Sequence, residues 1–527
     1  MEREHLYQQL ISYGTSDVYP FHMPGHKRRA LPFPNPYTID ITEIDGFDNL
    51  HHAEGLIREA EERAAKLYGA DRSYYLVNGS TCGLLAAICA AARRGDKVLA
   101  ARNCHKAVYH AISMQGLAAE FLYPAITRGD LQGQITAAQV EEALTKHPDI
   151  AVVILTSPTY EGIVSDVAAI AACCHAHGAA LIVDEAHGAH FGFGAGFPEN
   201  AVRLGADAVI MSLHKTLPSF TQTALLHCNG TRIDPGRVAR YLGVYETSSP
   251  SYLFMAGMDA CIDLIREQGA ELFAEYRRCL DAFYRDTADL AQLHVMRRED
   301  LCKEEAYDWD DSKLIIYAGA MGGEALHQEL LGHYHLQMEM VSADYVLGMT
   351  SLMDTDEGMR RLVTALHEID EKNRRKEALR GTAEENRRMD APTHETAEKN
   401  GRLDVPTHET AEKNGRLDGA PHETDEENRR LDGAEAGFTA RMYRENPRRM
   451  QIYQALDLPY REVPLDEAVG KMAADYVYLY PPGIPLIVPG EVITEEFIRH
   501  IRECRERKLN VEGQGNLAPG RIKIVYF

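Results

Sequence analysis

The chain carries a single tryptophan, no CxxC pair, and no apolar run long enough to span a bilayer. Its longest apolar stretch, about Cys82–Ala92, includes Gly83 and falls short of the ~20 residues a membrane helix needs. The opening MEREHLYQQL is charged and lacks the apolar core of a secretory signal. Ten cysteines are spread over 527 residues, with Cys173 and Cys174 adjacent, and read as reduced thiols of a cytoplasmic protein. Positive charge is also scarce: 56 Lys and Arg face 79 Asp and Glu, a net charge of -23. A nucleic-acid surface needs clustered cations to neutralise phosphates, so that class is excluded.

Apolar strands alternating with helices fill the first half. Strands are expected at 74–77, 97–101, 120–122, 151–155, 180–184 and 208–212. Helices are expected at 55–67, from about 82, and at 105–116, 137–146 and 166–177. Short apolar strands with helical crossovers indicate an α/β fold with a mostly parallel sheet covered on both faces. Residues 1–45, rich in Pro, Gly and aromatics, read as an N-terminal arm, and 46–290 as the large domain. Residues 291–376 begin a smaller α+β domain, and 438–527 form a C-terminal α+β domain.

Between them, His394, His408 and His422 recur every 14 residues, as do Asn386, Asn400, Asn414 and Asn428. The stretch 377–437 is dense in Glu, Arg, Lys and Asn and too polar to offset its ordering entropy, so it reads as a disordered insert. The repeated histidines could suggest metal binding, but tandem duplication of a solvated segment accounts for them.

Five segments carry chemistry, all at the expected C-terminal ends of strands, where open α/β sheets bind ligands. SLHK at 212–215 offers Lys215 for a Schiff base, with Ser212 and His214 beside it. IVDEAHGAH at 182–190 places Asp184 at a strand end, where a carboxylate can keep a pyridine nitrogen protonated, with His187 nearby. NGST at 78–81 puts Ser80 and Thr81 at a helix N-terminus, a phosphate-binding position and equally an ordinary cap. RNCHKA supplies His105 to stack on a ring, and LTSPTYEG supplies Thr156. Together they fit pyridoxal phosphate. His187 and His190 could be read as a metal pair, but Gly188 between them weakens that, and no metal is expected.

These segments, with FHMPGHK, NLHHAEGLI, TSSPSY and YPPGIPLIVPGE, resemble the Orn/Lys/Arg decarboxylase family in family order. The resemblance implies the aspartate-aminotransferase fold in a short form, and pyridoxal phosphate on Lys215. It pairs Asp184 with the ring nitrogen and stacks His105 on the ring. Ser80, Thr81, Ser212 and His214 would hold the phosphate, and Thr156 and His187 would line the ring. It implies decarboxylation of arginine, lysine or ornithine to amines of polyamine-related metabolism. It also implies a homodimer with the site at the subunit interface, to which Ser248 and Ser249 would reach from a neighbour. Ala107 departs from the Ser of many relatives. A basic substrate needs a carboxylate at the far end of the pocket, because an unpaired buried cation is costly. Glu491, Asp45 and Asp48 are candidates, each equally readable as a structural or surface carboxylate. The alternatives are transamination on the same scaffold and a non-catalytic regulatory homologue; intact Lys215, Asp184 and His105 speak against the latter.

Deleting 381–437 with a short linker should preserve activity, since closure entropy changes by only about 0.6 kcal/mol per doubling of loop length. A deletion variant that folds but has lost turnover would give the repeat a functional role.

Overall fold

Runs such as ALIVD at 180–184 and AVIM at 208–211 have no polar face to turn to solvent, and both strands are buried along their whole length. The computed structural model describes residues 6–29, 33–389, 437–480, 483–507, 509–513 and 520–527. Its central sheet has seven strands, in the order Arg72–Leu76, Ala224–Cys228, Ala208–Met211, Ala180–Asp184, Ile150–Thr156, Lys97–Ala101 and Ala118–Leu122. Ala224–Cys228 runs antiparallel to both its neighbours, and all other pairs are parallel. This makes the fold α/β with a mostly parallel sheet, as expected.

Helix Gly79–Ala91 is apolar on almost every side and lies between the sheet and helices Lys106–Gln115 and Pro235–Tyr245. It starts three residues before the expected Cys82, so Ser80 and Thr81 fall in its first turn. Close approach to the sheet depends on Gly83: a Cβ there would lie 2.6 Å from Leu76 Cδ1.

The 35-residue helix Tyr252–Asp286 leads to the smaller domain. There, Lys313–Tyr317 and Tyr345–Met349 form the centre of a four-stranded antiparallel sheet. Helix Asp356–Met389 packs against helices Tyr252–Asp286 and Gly323–Tyr334 and continues beyond residue 377, where the insert was expected to begin. Its Glu, Lys, Arg and Ala content favours helix, which explains the overrun. Residues 390–436, most of the repeat, lie outside the described residues.

The N-terminal segment is more firmly built in than an arm. Tyr19–Phe21 pairs in parallel with Leu336–Met338 of the smaller domain. Lys27 is buried, donating to the carbonyls of Pro20 (3.0 Å), His22 (3.1 Å) and Met349 (2.6 Å), with Asp354 at 3.7 Å. The C-terminal part has its own core. Helix Glu495–Glu506 buries Phe497, Ile498 and Ile501 against Val463, Leu486 and Ile524. All ten cysteines are free thiols. No helix among the described residues is long and apolar enough to cross a membrane.

A buried ion pair joins the C-terminal part to the large domain. Arg102, just past strand Lys97–Ala101, lies 3.5 Å from Glu491, and both side chains are almost wholly buried. Arg102 also donates to the Pro485 carbonyl at 2.8 Å and the Tyr109 hydroxyl at 3.0 Å. Removing one partner of such a pair costs about 3–5 kcal/mol, because the other charge stays buried. Glu491→Gln should therefore lower the thermal unfolding midpoint by several degrees. An unchanged midpoint would show that the pair does not hold the two parts together.

Candidate active site

The C-terminal edge of the parallel strands opens onto a cavity of about 680 Å³. Lys215 sits one turn past strand Ala208–Met211, in the short helix Leu213–Thr216. Its Nζ is 3.0 Å from His187 Nε2. Burial depresses the Lys215 amine below the usual lysine range, opposed by the charges of Asp184 and Glu339. Burial, then the Lys215 charge, holds His187 well below the usual histidine range. Burial thus works against a charge on both groups.

Asp184 ends the adjacent strand and is 4% exposed. It accepts the Ala186 amide at 3.2 Å, and burial raises its carboxyl pKa against the pull of Lys215. Thr156, at the end of the next strand, lines the same cavity, and its Oγ1 has no hydrogen-bond partner. His187 Nδ1 is likewise buried without one.

At the other end of the cavity lies the start of helix Gly79–Ala91. Gly79 adopts φ +73°, a left-handed turn that glycine enters without strain. Asn78 makes no side-chain cap, so the first-turn amides remain free for an anion. Ser80 Oγ and Ser212 Oγ are hydrogen-bonded at 2.5 Å. His214 Nδ1 is 2.8 Å from the Thr223 carbonyl, and burial lowers the ring's pKa to about 4. His105 caps helix Lys106–Gln115 through Nδ1, accepting the Ala107 amide at 3.3 Å. Burial, with Lys215 and Lys106 nearby, lowers its pKa to about 3.

Lys215, Asp184, His105, Ser80, Thr81, Thr156, His187, Ser212 and His214 thus all line one cavity. The proposed substrate carboxylates do not. Glu491 is turned to Arg102 and accepts the Val488 amide at 3.0 Å, so its charge is already neutralised within the protein. Asp45 is exposed, away from the cavity lining. Asp48 accepts the amides of Asn49, Glu54, Gly55 and Ile57 and holds the turn into helix Leu56–Tyr68. Ser248 and Ser249 are exposed and also outside the lining. The metal-pair reading of His187 and His190 fails on geometry: His190 Nε2 is directed to Asp310, 3.2 Å away, while His187 faces Lys215.

Several lining residues escaped the sequence reading: Met23, Gln132, Tyr160, Glu161, Glu339 and Tyr480. Glu339 accepts the Tyr160 hydroxyl at 2.6 Å and the Met23 amide at 2.8 Å. Met23, Tyr160, Glu161 and Tyr480 stood within the FHMPGHK, TYEG and YPPGIP motifs and were passed over; Gln132 and Glu339 come from segments without a local chemical pattern.

Comparison with known proteins agrees with this architecture. Arginine decarboxylase from Halalkalibacterium halodurans is 29% identical, covering 97% of this chain and 95% of its own length. Arginine decarboxylase from Bacillus subtilis is 27% identical over 99% and 97%. The B. subtilis protein YaaO is 42% identical over 48% of this chain, and the match spans 55% of YaaO. The solved structure of Francisella novicida lysine decarboxylase LdcF superposes with a TM-score of 0.72 at 18% identity, covering 98% of this chain and 80% of LdcF. The models for the Orn/Lys/Arg decarboxylase major domain and C-terminal domain match residues 4–295 and 439–513, and the chain belongs to that family.

Proposed function

We propose that this chain uses pyridoxal phosphate, joined to Lys215, to convert arginine, lysine or ornithine to the corresponding amine and CO₂. The observation that carries this reading is the Lys215 amine, 3.0 Å from His187 in a cavity that Asp184 also lines. The names of the two full-length relatives support a basic amino acid as substrate.

The residues present fit the cofactor. Buried Thr156 Oγ1 and His187 Nδ1 lack partners, and the uncapped helix start offers amides to a phosphate. Ser80, Thr81, Ser212 and His214 would hold that phosphate. His105 would cover the ring, with His187 and Thr156 at its edge. Once bound, pyridoxal phosphate supplies an electron sink for the pair left on Cα as CO₂ departs.

The chain's own groups do the rest. Burial works against a charge on the Lys215 amine, which favours its action as a nucleophile, and once protonated it would return a proton to Cα. His187 Nε2, 3.0 Å away, would hydrogen-bond that amine and orient it. Asp184, buried with a raised pKa, gains most from a cationic N–H and would ionise to pair with it. Leu84, Ala186 and Ile484 give the cavity an apolar lining that limits water around the reacting carboxylate. We further propose a homodimer in which the exposed Ser248 and Ser249 reach the neighbour's site.

Release of CO₂ from labelled arginine, lysine and ornithine, with the amine as co-product, tests the reaction; an oxo acid instead would indicate transamination. Borohydride reduction should leave the cofactor on Lys215 in peptide mass spectra, and an adduct elsewhere overturns the assignment. Asp184→Asn should retain cofactor and lose roughly 100-fold or more in turnover, because an amide cannot stabilise the ring charge. Undiminished turnover would remove Asp184 from that role.

A further inference from the structure

A second cavity of about 280 Å³ adjoins the first, and Gln132, Glu161, Glu339 and Tyr480 line both. The junction contains two carboxylates with different partners. Glu339 is satisfied by the Tyr160 hydroxyl and the Met23 amide, and its charge acts on Lys27, Lys215 and Lys313. Glu161 has no ion pair among the described residues. Tyr345 donates its hydroxyl to Oε1 at 3.2 Å, and burial lifts the carboxyl above the usual glutamate range. A half-buried carboxylate without a cation carries a desolvation cost, and an arriving cation relieves it.

Two further observations point to a ligand here. Gln132 is 5% exposed, and its buried Oε1 has no hydrogen-bond partner, although the side chain lines both cavities. Glu161 is also held on a rigid turn: its carbonyl accepts the buried Trp309 indole N–H at 3.1 Å, and the Gly162 amide donates to the Thr159 carbonyl at 3.0 Å. Between this junction and Lys215 stand Tyr160 and His187, with ring centroids 4.6 Å apart.

We propose that Glu161, with the Gln132 carbonyl, binds the cation at the far end of the substrate side chain and so sets the preference for basic amino acids. This rests on the decarboxylase reading above. An ammonium or guanidinium brings several N–H donors, enough for the Glu161 carboxylate and the orphaned Gln132 oxygen together. Glu339 would frame the path without being the main counter-charge.

The test uses cofactor-loaded full-length enzyme and the Glu161→Gln and Glu161→Asp variants. For the preferred basic amino acid, Glu161→Gln should reduce kcat/KM by roughly 100-fold, mostly through KM, because its charge partner is gone. The wild-type preference for arginine over its neutral isostere citrulline should shrink by a similar factor. Cofactor absorbance and melting midpoint should remain those of wild type, and Glu161→Asp should retain the preference for the basic substrate. Calorimetric binding of the product amine should weaken in parallel. Should Glu161→Gln fail to fold, Gln132→Leu carries the test, with a smaller loss expected in the same direction. Wild-type kcat/KM, amine affinity and citrulline discrimination in a folded Glu161→Gln variant would overturn the proposal. If the wild-type enzyme releases no CO₂ from any basic amino acid, the decarboxylase reading fails instead. Amine binding by wild type and Glu161→Gln then decides the Glu161 site by itself.

Discussion

A half-buried lysine amine at the end of a strand calls for compensation of its charge, and the cavity is organised around that constraint. Strand Ala208–Met211 delivers Lys215 into a region where burial disfavours the ammonium. Asp184 and Glu339 oppose that effect through their charge, and His187 lies within hydrogen-bonding distance. Lys313, buried and also depressed to about 8, adds positive potential from the smaller domain. Burial and the two carboxylate charges thus act on the Lys215 amine in opposite directions.

The sheet edge alone would leave this balance exposed to water, and other parts of the chain close it. Met23 comes from the N-terminal segment, Glu339 from the smaller domain, and Tyr480 and Ile484 from the C-terminal part. Buried charges secure the closure at two places. Lys27 spends its donors on carbonyls on both sides of the joint with the smaller domain, and Arg102 reaches Glu491. Each is a charge that becomes costly if its partner moves away, so the walls resist drifting apart.

Much of the cavity could be read from the sequence because parallel strands place functional groups immediately after apolar runs. Lys215 follows AVIM and Asp184 ends ALIVD, so the local pattern locates both. Strand Ala224–Cys228 was missed: nothing local shows that ALLHC returns antiparallel beside AVIM. Glu491 illustrates a different limit. Its motif identifies a carboxylate near the C-terminal part but not the Arg102 partner that neutralises it, which lies 389 residues away. Gln132, Glu339 and Met23 reach the cavity only through tertiary packing, and no spacing rule links 23, 132 and 339.

Strand Tyr19–Phe21 and Ile484 imply something about how the enzyme is made. One wall of the cavity comes from the first thirty residues and another from the last fifty, so both ends of the polypeptide must be present before the pocket exists. A polypeptide that stops before Ile484 therefore lacks one wall of the cavity that Lys215 lines.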